Sequence, residues 1–385
     1  KEQLWDHLDA FTDNLVEWLG NEPRQPSLIH SHYADAGYVG VRLSNLFAIP
    51  LAHTGHSLGR DKRKRLLAAG VTREQIEQTY KISRRIEAEE EVLSNADLVV
   101  TSTNNEIDAQ YGLYDYYDPS RMAVIPPGTD LVQFHPPTNG KPPAFASQVN
   151  RFLADPNKPL ILALSRPDER KNILTLIEAY GESQPLRQAA NLLIVAGNRD
   201  DIRDMDSGAQ RVMTNVLLLI DAHDLYGRVA VPKSHRANEV PDIYRLAASS
   251  AGVFINPALT EPFGLTLLEA AASGLPVVAT ENGGPVDIIA NCRNGELIDP
   301  LDKQAITEAL LKLLRDHDAW SAAARNGREG VRRHYSWQAH VEKYLELIQP
   351  IVDKTEPIER MELKRRPMLY HDRALFSDLD QNLLG

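Results

Sequence analysis

Short apolar runs at 27–31 (SLIHS), 98–102 (LVVTS), 160–164 (LILAL), 192–196 (LLIVA), 253–256 (VFIN) and 276–280 (PVVAT) alternate with longer stretches of helical periodicity. Runs of this length with little polar alternation read as strands covered on both faces. The stretches between them supply the covering helices, so the pattern is one of βαβ units and parallel sheets. The expected fold class is α/β. At 385 residues the chain exceeds one ordinary domain, and two doubly wound, Rossmann-like domains facing a cleft are expected.

Between 124 and 159 the periodicity lapses into a stretch with three Pro-Pro pairs, which reads as a linker. The expected organisation is a first domain over 1–135, a linker over 136–158, a second domain over 159–350, and a further linker leading into a new strand over 351–385.

Charge and composition narrow the class. A formal net charge of -11 argues against a polyanion partner, because neutralising nucleic-acid phosphates takes an excess of Lys and Arg on one face. Cys292 is the only cysteine, which excludes an internal disulfide and a multi-thiolate zinc site and fits a reducing cytoplasm. The first residues form an acidic amphipathic pattern rather than a signal peptide, and no apolar run approaches the roughly 20 residues of a membrane span.

The strongest chemical signal is Glu261-Pro-Phe263-Gly264-Leu265-Thr266-Leu-Leu-Glu269. Here the chain turns into a helix at Phe263 and Gly264, leaving the backbone N–H groups of Gly264, Leu265 and Thr266 to meet a phosphate. Glu261 and Glu269 stand on either side of that turn and can serve different parts of one ligand; a helix start with a solvent-facing glutamate is the plainer reading.

Arg166 and Lys171 follow the 160–164 run directly, at the carboxyl end of a strand, where open α/β sheets bind ligands. A bidentate cation and a point charge together suit a diphosphate leaving group, and a solvated charged loop is the alternative. In the first half, His56 and Lys62 follow a strand expected at 48–52, with His53 close enough that spacing does not choose between the two histidines. Arg84 and Arg85 lie on a helix where pairing with Glu89 is the ordinary outcome. There is no GxGxxG or Walker loop and no HExxH, and no His/Asp spacing marks a metal centre, so neither a metal nor a cofactor is expected.

Taken together, SHYADAG (31–37), GHSLGRDK (55–62), SRPDERKN (165–172), AGNRDD (196–201), the run at 240–270 and GLPVVATENGGPVDI (274–288) resemble the sucrose-phosphate synthases, retaining glycosyltransferases of the GT-B fold, over about residues 1–350. The resemblance implies transfer of glucose from UDP-glucose or ADP-glucose to fructose 6-phosphate. It assigns Arg166 and Lys171 to the donor diphosphate, Glu269 to ribose, Glu261 to the transferred sugar, and the backbone at Phe263, Gly264 and Leu265 to phosphate and sugar hydroxyls. His56 would face the donor sugar. Lys62 and Arg85, with Arg84 a lesser candidate, would hold the acceptor phosphate, and Tyr33 and Asp35 would line the acceptor side.

Mannosylfructose-phosphate synthase with GDP-mannose, sucrose synthase and a non-catalytic fragment are the alternatives. The resemblance also implies a first domain incomplete at its N-terminus. At the other end, Asp378 and Asp380 resemble the first motif of haloacid-dehalogenase-type phosphatases, with Asn382 in place of the usual threonine.

Overall fold

The computed structural model describes residues 2–138 and 145–354. The phosphatase-like motif at Asp378 and Asp380 lies outside the described residues.

Two parallel sheets organise the chain. In the first lobe β1 (Ile29–His32), β2 (Leu51–Thr54), β3 (Leu98–Thr101) and β4 (Met122–Val124) lie side by side in chain order. The second lobe holds β5 (Leu160–Ser165), β6 (Asn191–Ala196), β7 (Val229–Ala230), β8 (Val253–Asn256), β9 (Val277–Thr280) and β10 (Gly295–Ile298), in the order β10-β9-β8-β5-β6-β7. β5 therefore pairs with β6 on one side and β8 on the other, and the strand order reverses there. Crevices at the carboxyl ends of strands beside such a reversal are where doubly wound sheets bind ligands.

Burial on both faces explains the strand pattern. Along β5, Ile161 and Ala163 face one helical layer with Ile173, Leu176 and Ile177, while Leu160 and Leu162 face the other with Leu267 and Leu268. Each such side chain contributes about 1.5–3 kcal/mol by leaving water. Cys292 packs in the second of these layers, its thiol pushed up to about 12 by burial.

Three expectations need correction. The strand expected at 48–52 begins at Leu51: the helix Tyr33–Phe47 runs longer and ends on Ala48 in a left-handed conformation, and Pro50 has no N–H to give a ladder. The linker expected over 136–158 contains a helix, Ala146–Asn150, and Phe145, Val149 and Leu153 are buried in the second lobe's core. The last helix, Trp337–Asp353, leaves the second lobe and returns to the first, where Tyr344, Leu347, Ile348 and Ile351 pack against Ala52, Leu98, Val100 and Ile125. Among the described residues no helix is long and apolar enough to cross a membrane.

Candidate functional site

The second-lobe cluster is built on the strand ends at the order reversal. After β5, Asp168 caps a short 3-10 turn, Glu169–Lys171, by accepting from the Arg170 amide at 3.0 Å. Asn172 then anchors the turn in the core, its amide donating to the carbonyls of Pro257 and Pro300. With its backbone fixed at both ends, Lys171 reaches across and donates to Glu261 at 2.7 Å. Asn256, the last residue of β8, donates to the same Glu261 oxygen at 3.0 Å.

Glu261 itself is locked by its backbone: its amide donates to Asn282 and its carbonyl accepts from Gly284. A Cβ on Gly283 would stand 2.2 Å from that carbonyl oxygen, so only glycine lets the two segments meet.

Gly264, with φ of 106°, turns the chain into the helix Leu265–Ala272, and no side chain caps that turn. The amides of Leu265 and Thr266 thus stand in the first turn, where a helix leaves its N–H groups without intrahelical acceptors and its dipole positive. Farther along, Glu269 accepts from the hydroxyl of the fully buried Tyr244 at 2.9 Å. Burial raises the Glu269 carboxyl above its ordinary range, opposed by that hydrogen bond.

Lys171 and Glu261 meet directly and the Gly264 turn lies beside them, a Cβ there standing 3.7 Å from the Glu261 side chain, while Glu269 follows on the helix that the turn opens. Arg166 lines a groove of about 580 Å³ that also touches Asn198 and Arg211.

In the first lobe, Tyr33, Asp35, Lys62 and Arg85 share one small cavity of about 80 Å³ with Trp5, Tyr80 and Ile82. The Lys62 ammonium lies 3.6 Å from the centre of the Tyr80 ring. Arg85 is mostly committed elsewhere: its Nε donates to Glu89 at 2.9 Å, its Nη2 donates to the Ser57 carbonyl, and its guanidinium lies over the Tyr33 ring. The pairing with Glu89 foreseen from i,i+4 spacing is thus present, and it is buried, with 6% and 3% side-chain exposure. Glu89 also accepts from the Gly59 amide, pinning the start of the helix Gly59–Ala68, and the loop with His56 just before it, to the helix Ile82–Asn95. Arg84 turns to Asp6 and the Trp5 carbonyl instead.

The two histidines that spacing left open are separated by the strand. His53 lies inside β2, buried against Ser31 at 2.8 Å, and burial holds its imidazole down to about 3. His56 lies in the loop beyond, with φ of 60°, and its Nε2 shares a hydrogen bond with His32 Nδ1 at 2.8 Å.

Asn256, Tyr244, Tyr80, Trp5 and His32 escaped sequence reasoning. His32, Tyr244 and Asn256 lie inside quoted motifs, but nothing local marks their partners.

The lobes touch where the amide and side chain of Asn104 donate to Asp287, at 3.0 and 3.2 Å.

Comparison with known proteins accounts for both halves. The family described as Glycosyl transferases group 1 matches residues 145–330, and that described as Glycosyltransferase Family 4 matches 3–133. Sucrose-phosphate synthase 4 of Arabidopsis thaliana is 49% identical over 90% of this chain, and the sucrose-phosphate synthase of Zea mays is 49% identical over 90%. The chain spans 38% and 37% of the lengths of those two relatives.

Among solved structures, a sucrose-phosphate synthase from Thermosynechococcus elongatus superposes with a TM-score of 0.67 at 27% identity, covering 92% of this chain and 80% of that one. Anabaena HepE in complex with UDP, at 19% identity and a TM-score of 0.67 over 89% and 82%, shares the fold.

Proposed function

Because the chain belongs to the sucrose-phosphate synthase family of GT-B glycosyltransferases, we propose that it moves glucose from UDP-glucose or ADP-glucose to the anomeric hydroxyl of fructose 6-phosphate, with retention at the donor carbon. The observation that carries this reading is the second-lobe arrangement: a cation, a carboxylate and an uncapped helix start gathered at the reversal of strand order.

In the reaction the bond from glucose C1 to the β-phosphate oxygen breaks and its electron pair leaves on the diphosphate. The acceptor oxygen bonds to C1 from the same face, and its proton passes to the departing phosphate. Lys171, Arg166 and the amides of Leu265 and Thr266 supply positive charge where negative charge grows, which lowers the barrier more than it tightens the ground state. Glu261 takes the hydroxyls of the transferred sugar and Glu269 those of ribose, while His56 faces the sugar from the first lobe. On the acceptor side, the phosphate of fructose 6-phosphate meets Lys62, beside Tyr33 and Asp35; Arg85 holds the wall of that cavity.

The test is one assay with labelled UDP-glucose, ADP-glucose and GDP-mannose, each offered fructose 6-phosphate or fructose. Sucrose 6-phosphate from a glucose donor supports the reading. Mannosyl transfer, or a preference for plain fructose, replaces it with mannosylfructose-phosphate synthase or sucrose synthase respectively, and no transfer with any pair rejects it.

A further inference from the structure

A column of aromatic rings runs from the returning helix to the loop that carries His56. Tyr344 and His30 lie with ring centres 5.2 Å apart and His30 stacks on His32 at 4.4 Å, while His32 and His56 meet edge to edge with centres 5.1 Å apart, all within 22° of parallel. Hydrogen bonds fix most of the column in place. His30 shares one with the Tyr344 hydroxyl at 2.7 Å and another with Thr54 Oγ1 at 2.9 Å, so both of its ring nitrogens are engaged. His32 Nδ1 and His56 Nε2 then face each other at 2.8 Å.

Two ring nitrogens at that distance hold a single proton between them. If both carried one, two N–H groups would collide and two positive rings would meet. His56 also sits in a left-handed backbone conformation that is strained for a non-glycine residue, and such strain persists only where the surroundings hold it.

We propose that His32 is a positioning residue for His56: it fixes the tautomer and ring orientation of His56, and His30 and Tyr344 brace it from the returning helix. The inference rests on the role of His56 given above, facing the donor sugar. An imidazole with a fixed tautomer presents one known group at Nδ1, whereas a free ring divides its time between two. The returning helix, which follows the second lobe in sequence, thereby helps to set a side chain of the first. The titratable groups facing the pair are His30 on the same strand as His32, His53 on the adjacent strand β2, and Tyr344 and His340 on the returning helix.

The test uses the whole chain with nitrogen-15-labelled histidine, followed by NMR across pH, beside steady-state kinetics. In the wild type the ring nitrogens of His56 should report one fixed tautomer, and in His32→Phe, which keeps a ring against His30 and removes the nitrogens, they should average between the two. The same variant should lose roughly 10- to 100-fold in kcat with KM for the donor nearly unchanged. His32→Asn, which returns a polar group near the Nδ1 position, should recover most of the loss, and Tyr344→Phe should show a smaller loss of the same kind.

A His56 tautomer signal that is identical in wild type and His32→Phe overturns the proposal, as does a loss of kcat that His32→Asn does not restore. If the wild type transfers no sugar at all, the functional reading fails while the NMR tautomer signal still decides the positioning role.

Discussion

Lys171 and Glu261 stand on opposite sides of the point where the second sheet reverses its strand order, one after β5 and one after β8, and their side chains meet at 2.7 Å. Each is only partly exposed, at 24% and 12%. The pair is therefore formed before any ligand arrives, and a diphosphate entering the crevice must share the Lys171 ammonium with a carboxylate already bound to it.

That sharing separates ground-state from transition-state effects. Lys171→Met is expected to change donor affinity only a few-fold and to lower turnover by about 100-fold, the size seen when one charge-stabilising donor is removed. Single-turnover kinetics beside equilibrium binding measure the two. Equal losses in both would mean that Lys171 binds the donor uniformly and does not favour the transition state.

Glu269 has two jobs to disentangle, because its carboxylate also satisfies the buried Tyr244 hydroxyl. Glu269→Ala should weaken the donor by about 1–3 kcal/mol and also destabilise the fold by a similar amount, as an orphaned buried hydroxyl does. Adding Tyr244→Phe to Glu269→Ala should recover the stability and leave the donor affinity low. Recovery of both would remove Glu269 from the ribose site.

Lys62 and Arg85 share a cavity but should answer differently to substitution. Lys62→Ala is expected to weaken fructose 6-phosphate by about 1.5–3 kcal/mol, the range for a hydrogen bond to a charged group, while sparing donor binding. Arg85→Ala instead strands Glu89 in the interior and should cost about 3–5 kcal/mol of stability, measured by chemical unfolding. An Arg85→Ala protein that melts normally and merely loses its preference for the phosphorylated sugar would make Arg85 a direct phosphate ligand.

Those contrasts mark what sequence could and could not carry. Strands buried on both faces, such as β3, β6 and β8, write themselves as unbroken apolar runs and were legible. β7 is two residues long and β10 reads GELI with only Ile298 buried, so neither leaves a pattern to find. The Gly264 turn and its flanking glutamates were legible because turn chemistry is local. The burial of Arg85 was not, since i,i+4 spacing foretells a partner but cannot tell whether other elements will cover the pair. His30 and Tyr344 meet only because the last helix returns to the first lobe, a contact that no spacing encodes.

Acid should destabilise the protein through His53. Its imidazole is held near 3 in the fold and returns to the ordinary value near 6.5 on unfolding, so the unfolded chain binds the extra proton. The stability this confers is complete above about pH 6.5 and is lost as pH falls toward the folded value, at a limit of about 1.4 kcal/mol per pH unit. Glu89, raised by burial, acts with the opposite sign, which is why the comparison must be between wild type and His53→Asn. Unfolding free energies between pH 7.5 and 5 should fall more steeply for the wild type; parallel slopes would mean that His53 is not the group responsible.

Gly128 lies against the start of the returning helix, and a Cβ there would stand 2.5 Å from the Trp337 backbone. Next to it, the Thr129 amide donates to the Tyr335 carbonyl at 2.7 Å, so the two chain passages between the lobes run bonded side by side. Gly128→Ala should push them apart, costing about 1–3 kcal/mol of stability. It should also alter the lobe separation seen by small-angle scattering with and without donor. An unchanged separation would show that the passages do not set the lobe geometry.

The returning helix also imposes an order on synthesis. The first lobe's residues leave the ribosome early, yet the sheet face formed by Ala52, Leu98, Val100 and Ile125 stays bare until Tyr344, Leu347, Ile348 and Ile351 have been made. Domains made on a ribosome ordinarily close from the N-terminus onward. Here that face of the first lobe is covered only after the second lobe has been made, and a nascent chain stalled between the two carries an uncovered apolar surface for a chaperone to hold.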